Sequence, residues 1–297
     1  MKARKIFYVQ QFFNEVDLLK IKLHTIYPVV DCIILSESTH THSGLWKEPI
    51  LDGLFKSGQL DQFRDKLVIQ YVDDTPSQYT NLHLDKNKDK WYNHVVNKIN
   101  SQKHWDKNQE SYGRDSWEKE ILIRPLALQN PNDDDIVIFS DLDEIIRPVY
   151  ITSLREHMPL NSLLRFGCGF YYYALNLLSS EKWTSPIAAN YRTFVENSFC
   201  ELRNFAQGLF VNNAGWHFSY LGNPYMIETK LRSFGEQSLN TNKVRSNLPN
   251  VIVDALTKGK DLYGRSKKFE IVPVNYDTMP AYIVEHQEEL AQYLLPY

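Results

Sequence analysis

Three carboxylates stand within four residues, at Asp141, Asp143 and Glu144. Four consecutive apolar residues, Ile136–Phe139, come just before them, with Asp133, Asp134 and Asp135 on the other side. A short unbroken apolar run is the pattern of a strand buried on both faces, as in a parallel sheet covered by helices. In open α/β sheets ligands bind outside the carboxyl ends of the strands. Asp141 and Asp143 are two residues apart, so in a turn just past a strand both can reach one hard cation. A divalent ion held there would neutralise the charge that grows on a departing diphosphate. The plainer alternative is a pair of solvated turn acids, one of them capping the next helix.

Several further elements are needed to position such a turn. Residues 6–9 read as a first strand, followed by Asn14 as a helix N-cap with Glu15 and Asp17 in the first turn. Glu15 lies just past a strand and reads either as a site residue or as a dipole-compensating acid. Residues 29–35 read as a second strand that runs into a polar loop holding Glu37, His40, His42 and Gly44. Glu37 sits at the strand tip; the two histidines have no matching third metal ligand nearby and read as loop polarity. Residues 67–72 form a third strand. The strand–helix–strand–helix–strand order implies an α/β fold with a parallel, doubly wound sheet.

Residues 73–113 interrupt this order with a segment rich in Asn, Lys, Asp, Gln and His. It reads as an ordered excursion with one helix near residues 91–99, as a mobile acceptor-binding lid, or as a solvated insertion. Residues 114–124 predict a single helix, capped by Asp115 or Ser116. On it Trp117, Glu120 and Arg124 share a face. Glu120 and Arg124 either pair with each other or orient a nucleotide or acceptor.

Residues 148–157 predict a short helix, and residues 162–176 an unusually aromatic strand, suited to an antiparallel extension. Within residues 214–222 a neutral His217 could complete an oxygen-rich metal site with Asp143. Pro224 then opens an amphipathic helix carrying Lys230 and Arg232, cations able to meet phosphate. A helix over residues 251–256, a strand over residues 269–272 and a last helix after Pro280 complete the chain.

Composition narrows the function classes. With 297 residues, 43% hydrophobic and 23% charged, the chain can bury a large core. A net charge of −3 supplies no basic field for nucleic acid or an anionic membrane. The 18 Tyr, 15 Phe and 6 Trp suit stacking on sugars, although many of these rings must serve the core. Three cysteines without a Cys-x-x-Cys pair read as buried free thiols of a reducing compartment. The first apolar run is too short for a signal-peptide core or a membrane span. Together these features predict a cytoplasmic, soluble protein.

In order along the chain, Phe13 to Leu19, Val30-Asp31 to Glu37-Ser38 with Gly44, and Trp117, Glu120 and Arg124 resemble glycosyltransferase family 17. Ser140-Asp141-Leu142-Asp143-Glu144-Ile145, Gly215-Trp216-His217 with Ser219, Lys230 and Ser233, and the Pro280 segment continue the resemblance. The series spans nearly the whole chain, and its order is more specific than any Asp-x-Asp alone. Three departures stand out: no membrane anchor or stem is seen, which points to a bacterial or viral soluble member; Ile146 replaces the usual proline after Asp-Glu-Ile; and the 73–113 insertion is particular to this chain.

The resemblance implies a GT-A-like fold: a mixed sheet flanked by helices, as one domain over residues 1–297 with the insertion at 73–113. It implies an inverting transfer from a nucleotide sugar, UDP-N-acetylglucosamine, to a glycan hydroxyl. Mn²⁺ or Mg²⁺ would be held by Asp141, Asp143 and His217. Glu15, Glu37, Arg124, Asp141 and Lys230 would bind the donor. The base would be Glu120, Glu236, Glu144 or Glu37. Two other classes fit less of the sequence. A haloacid-dehalogenase-type phosphohydrolase would need Thr or Val where Ile145 stands. A non-catalytic carbohydrate-binding protein would use the aromatics and acids without turnover.

Overall fold

A computed structural model describes residues 3–297. The apolar runs become strands β1 (Ile6–Phe12), β2 (Cys32–Ser38), β3 (Leu67–Val72) and β4 (Ile136–Phe139). These four pair in parallel in the order β3-β2-β1-β4. Ile136–Phe139 is buried throughout, as a strand covered on both faces must be. Because β2 and β3 extend from one side of β1 and β4 from the other, the strand order reverses between β1 and β4. Such a switch point opens a crevice at the strands' carboxyl ends. Asn14 and Glu15 follow β1 there, and the acidic turn follows β4.

Six further strands complete the sheet: β5 (Glu144–Ile146), β6 (Leu163–Tyr172), β7 (Leu177–Trp183), β8 (Ile187–Asn190), β9 (Leu209–Ser219) and β10 (Phe269–Ile271). β8 joins β4 in antiparallel fashion and is followed by β6, β7 and β10, so the aromatic stretch does form an antiparallel extension. β9 runs parallel to β6 and also pairs with β5. The whole is an α/β structure with a large mixed sheet flanked by helices. No helix among the described residues is long and apolar enough to cross a membrane.

Three local expectations are corrected. Asn14 does not cap the first helix with its side chain; the helix begins at Val16, after Glu15. Residues 114–124 are not one helix. They divide between Glu110–Glu120 and Ile123–Leu128. Pro125 explains the break, since its ring clashes with the carbonyl four residues back and it offers no N–H. The acidic turn leads into strand β5 before the helix Pro148–His157 begins.

The 73–113 segment is an ordered excursion. Asp89 caps the helix Lys90–Ser101, accepting bonds from the Trp91 and Tyr92 amides, and Val95, Val96 and Ile99 are buried on its inner face. Tyr79 and Tyr92 pack edge-on to the fully buried Trp117.

The close approach of β5 and β9 depends on Gly215, which faces Ile146 in register. A Cβ there would lie 2.1 Å from the Ile145 carbonyl oxygen, a backbone atom with little freedom to yield. Gly215→Ala is therefore expected to destabilise the protein by about 1–3 kcal/mol, the usual cost of overpacking. Urea unfolding measures this; an unchanged midpoint would contradict the tight packing of β5 on β9.

Candidate active site

The acidic turn is held from below and from one side by cations. Arg203, on the helix Phe199–Asn204, donates to Asp141 Oδ2 at 2.6 Å and to Glu144 Oε2 at 2.8 Å. Lys22 reaches up from the first helix and donates to Ser140 Oγ at 2.8 Å and to the Asp141 carbonyl at 2.7 Å. Burial lowers the Lys22 ammonium to about 7, against the pull of Glu144 and Asp143. Tyr8 Oη lies 3.0 Å from Ser140 Oγ. The turn also closes on itself, because the Asp141 amide donates to Glu144 Oε2 at 2.8 Å.

This perturbs the two aspartates in opposite directions. Burial pushes the Asp141 carboxyl up, more than Arg203 pulls it down. Burial also opposes ionisation of Asp143, but Lys230 and His217 outweigh it and hold that carboxyl well below the usual carboxylate range. Lys230 donates to Asp143 Oδ2 at 2.7 Å and lies 3.7 Å from Glu15 Oε1. His217 Nε2 is 3.5 Å from Asp143 Oδ1. The pairing of β5 with β9 sets this distance by placing Glu144 opposite His217. The His217 ring stacks on Phe170 and tilts against Trp183.

A cavity of about 380 Å³ opens beside these groups, within the range of small-molecule sites. Of the residues singled out from sequence, Glu15, Asp141, Asp143, His217, Lys230 and Glu236 all line it. Glu236 accepts bonds from the Tyr112 and Ser238 hydroxyls, which hold its carboxyl below the ordinary value.

Four other candidates do not reach the cavity. Glu120 is buried and accepts from Gln102 Nε2 at 2.9 Å, Ser198 Oγ at 2.5 Å and the Phe199 and Cys200 amides at 3.1 Å. It therefore satisfies the amino end of the helix Phe199–Asn204 and is not placed to take a substrate proton. Glu144 is wholly buried, and Arg203 and the Trp183 indole N–H claim its carboxylate. Glu37 is wholly buried and accepts from Lys47 and from the Ile50 and Leu51 amides. Arg124 pairs with Asp74 at 2.8 Å and Asp89 at 3.2 Å, and so pins the segment that follows β3.

The cavity also contains groups that sequence reasoning missed. His42 touches Glu118 at 3.1 Å and Asp115 at 3.5 Å, and Lys119 pairs with Asp115 at 2.7 Å. Burial works against a charged His42, but the two carboxylates prevail and raise its pKa. Asp115 and Glu118 are three apart on a helix, which puts them on one face, but nothing in the sequence ties that face to His42. Arg203 gave no local signal at all, because its partners are 59 and 62 residues away.

The donor set of Asp141, Asp143 and His217 suits a hard or borderline divalent cation. Asp141 Oδ1 and His217 Nδ1 are buried without a hydrogen-bond partner. Among the described residues, no group of three His, Cys, Asp or Glu side chains closes around one point.

An acidic turn at the carboxyl end of a buried strand, at the switch point of a mixed sheet, lies where open α/β sheets bind their ligands. The family comparison gives the reaction class: residues 54–296 match the model of glycosyltransferase family 17, and the chain belongs to that family. It is a glycosyltransferase, acting on a sugar donor and an acceptor, as the resemblance implied. Glu15 and Gly44 lie before the matched range. No curated protein matches the chain.

Arg203→Met would leave the wholly buried Glu144, and the partly exposed Asp141 beside it, without their cation. Breaking such a cluster is expected to cost about 3–5 kcal/mol. Thermal and urea unfolding of this variant measure the loss, and a cost below about 1 kcal/mol would contradict the clamp.

Proposed function

We propose that this protein is a metal-dependent, inverting glycosyltransferase of GT-A type that moves N-acetylglucosamine from UDP-N-acetylglucosamine to a hydroxyl of a glycan acceptor. One observation carries the reading. A single cavity at the switch point gathers Asp141, Asp143, His217, Lys230, Glu15 and Glu236.

Asp141, Asp143 and His217 would hold Mn²⁺ or Mg²⁺, which when bound supplies positive charge to the diphosphate oxygens. Lys230 adds a second cation. It already neutralises Asp143, and its flexible stem lets the ammonium turn to a phosphate oxygen. Asp141 is the residue suited either to the metal or to the donor ribose, and Glu15 shares Lys230 from the other side.

Glu236 is the base this arrangement favours, since Glu120, Glu144 and Glu37 are buried in structural roles. Its lowered pKa keeps it ionised at neutral pH. The acceptor oxygen attacks the anomeric carbon as the bond from that carbon to the diphosphate oxygen breaks. The hydroxyl proton passes to Glu236 and the bonding pair leaves with UDP. Attack from the face opposite the leaving group inverts the anomeric centre.

Release of UDP from UDP-N-acetylglucosamine, with water as the default acceptor, tests the reading. Asp143→Ala is expected to abolish metal-stimulated UDP release with an unchanged circular dichroism spectrum. Glu236→Gln is expected to slow it by about 10²–10⁴, the usual worth of a general base. Full turnover in the first variant contradicts the metal site, and full turnover in the second contradicts the base.

A further inference from the structure

Residues 39–47 form a loop at the cavity mouth. Its fold is fixed at many points. The Thr41 amide donates to the Leu45 carbonyl at 2.7 Å, and the Gly44 amide donates to the Thr41 carbonyl at 2.9 Å. The Leu45 amide returns to Thr41 Oγ1 at 3.0 Å. Gly44 takes φ = +91°, a left-handed value that favours glycine, and the Arg114 guanidinium lies against the place where a Cβ would stand. The Ser43 amide donates to the Ser233 carbonyl at 3.1 Å, tying the loop to the other wall of the cavity.

On this fixed loop sits Trp46, 68% exposed. The other five tryptophans are buried or half-buried. A buried aromatic side chain gains about 150–250 Å² of contact, so an indole held outward on a rigid loop forgoes the usual gain. His40 and Trp46 form an antiparallel bridge. Directly opposed residues in such a pair project to the same face. His40 and Lys47 line the cavity and Trp46 stands between them in the loop, just outside its rim. Leu45, 58% exposed, adds apolar surface beside it.

Resting on the reading of this cavity as the sugar-transfer site, we propose that Trp46 is an acceptor-binding residue, on whose indole a pyranose ring of the acceptor glycan stacks. The C–H face of a pyranose is apolar and weakly positive, complementary to the negative face of an indole. The ring is rigid and already ordered, so stacking costs little conformational entropy. The donor subsite lies deeper, around Asp141 and Asp143, so the indole contributes to acceptor binding and leaves nucleotide binding unaffected.

The experiment is an oligosaccharide array probed with the labelled full chain, with and without UDP and Mn²⁺, for wild type, Trp46→Ala and Trp46→Phe. Calorimetry with UDP and Mn²⁺ and a melting curve accompany each. The wild type is expected to bind a subset of the saccharides. Trp46→Ala should bind them at least about tenfold more weakly, as truncation of a hot-spot aromatic does. Trp46→Phe should retain most of the binding, and melting and UDP affinity should be unchanged in both. Equal saccharide binding by Trp46→Ala, or no saccharide bound by the wild type, overturns the proposal. Tryptophan-dependent saccharide binding in a chain that binds no UDP leaves the platform standing and overturns the donor assignment instead.

Discussion

The bridge from one guanidinium to two carboxylates organises this protein. Arg203 is almost fully buried and holds Asp141 and Glu144 together. Without it, the wholly buried Glu144, with the partly buried Asp141 beside it, would carry a desolvation cost that proteins normally avoid by protonation. With it, Glu144 is held ionised against the effect of burial and becomes the acceptor for the Trp183 indole and the Asp141 amide. The turn is thereby rigid, and Asp143 is left with its carboxylate toward the cavity. Arg203 is itself positioned by Glu120, which satisfies the first amides of the helix that carries it. The chain of positioning runs from Glu120 through that helix to Arg203, and from there to the acidic turn.

The two halves of the sheet contribute different chemistry to one place. The parallel half supplies Glu15 and the acidic turn from the carboxyl ends of β1 and β4. The antiparallel half supplies His217 from β9, in register with the turn. The helix Pro224–Ser233, capped by Asn223, then brings Lys230 across to Asp143. The excursion after β3 returns as the helix Glu110–Glu120 with Asp115, Glu118 and Lys119 on the opposite wall. A cavity with carboxylates and cations on each wall can bind a charged, hydroxyl-rich ligand in a defined orientation.

Much of this was legible in the sequence, because local patterns imposed it. The strands β1, β2 and β4 each contain an unbroken run of four apolar residues, the pattern of a strand covered on both faces. The position of Asp141 and Asp143 follows from the strand before them. What was hidden is long-range. Glu120 and Arg124 repeat at helical spacing beside Trp117, which suggested one face and one purpose. Pro125 divides them between two helices, and each turns to a separate structural partner. Glu37 stands at a strand tip, as a site residue would, but lysine and amide donors from the following loop enclose it. Arg203 sits in an ordinary-looking Cys-Glu-Leu-Arg run, and only the folded chain brings it under the acidic turn.

We propose that the acidic turn is a metal-assisted site for a uridine nucleotide sugar. Calorimetric titration of the wild-type protein with UDP and with UDP-N-acetylglucosamine, each with and without Mn²⁺, tests it most directly, with GDP as the control. The account predicts binding of both uridine ligands that strengthens markedly with Mn²⁺, and little or no binding of GDP. Binding that ignores the metal, preference for GDP, or no nucleotide binding at all would contradict it.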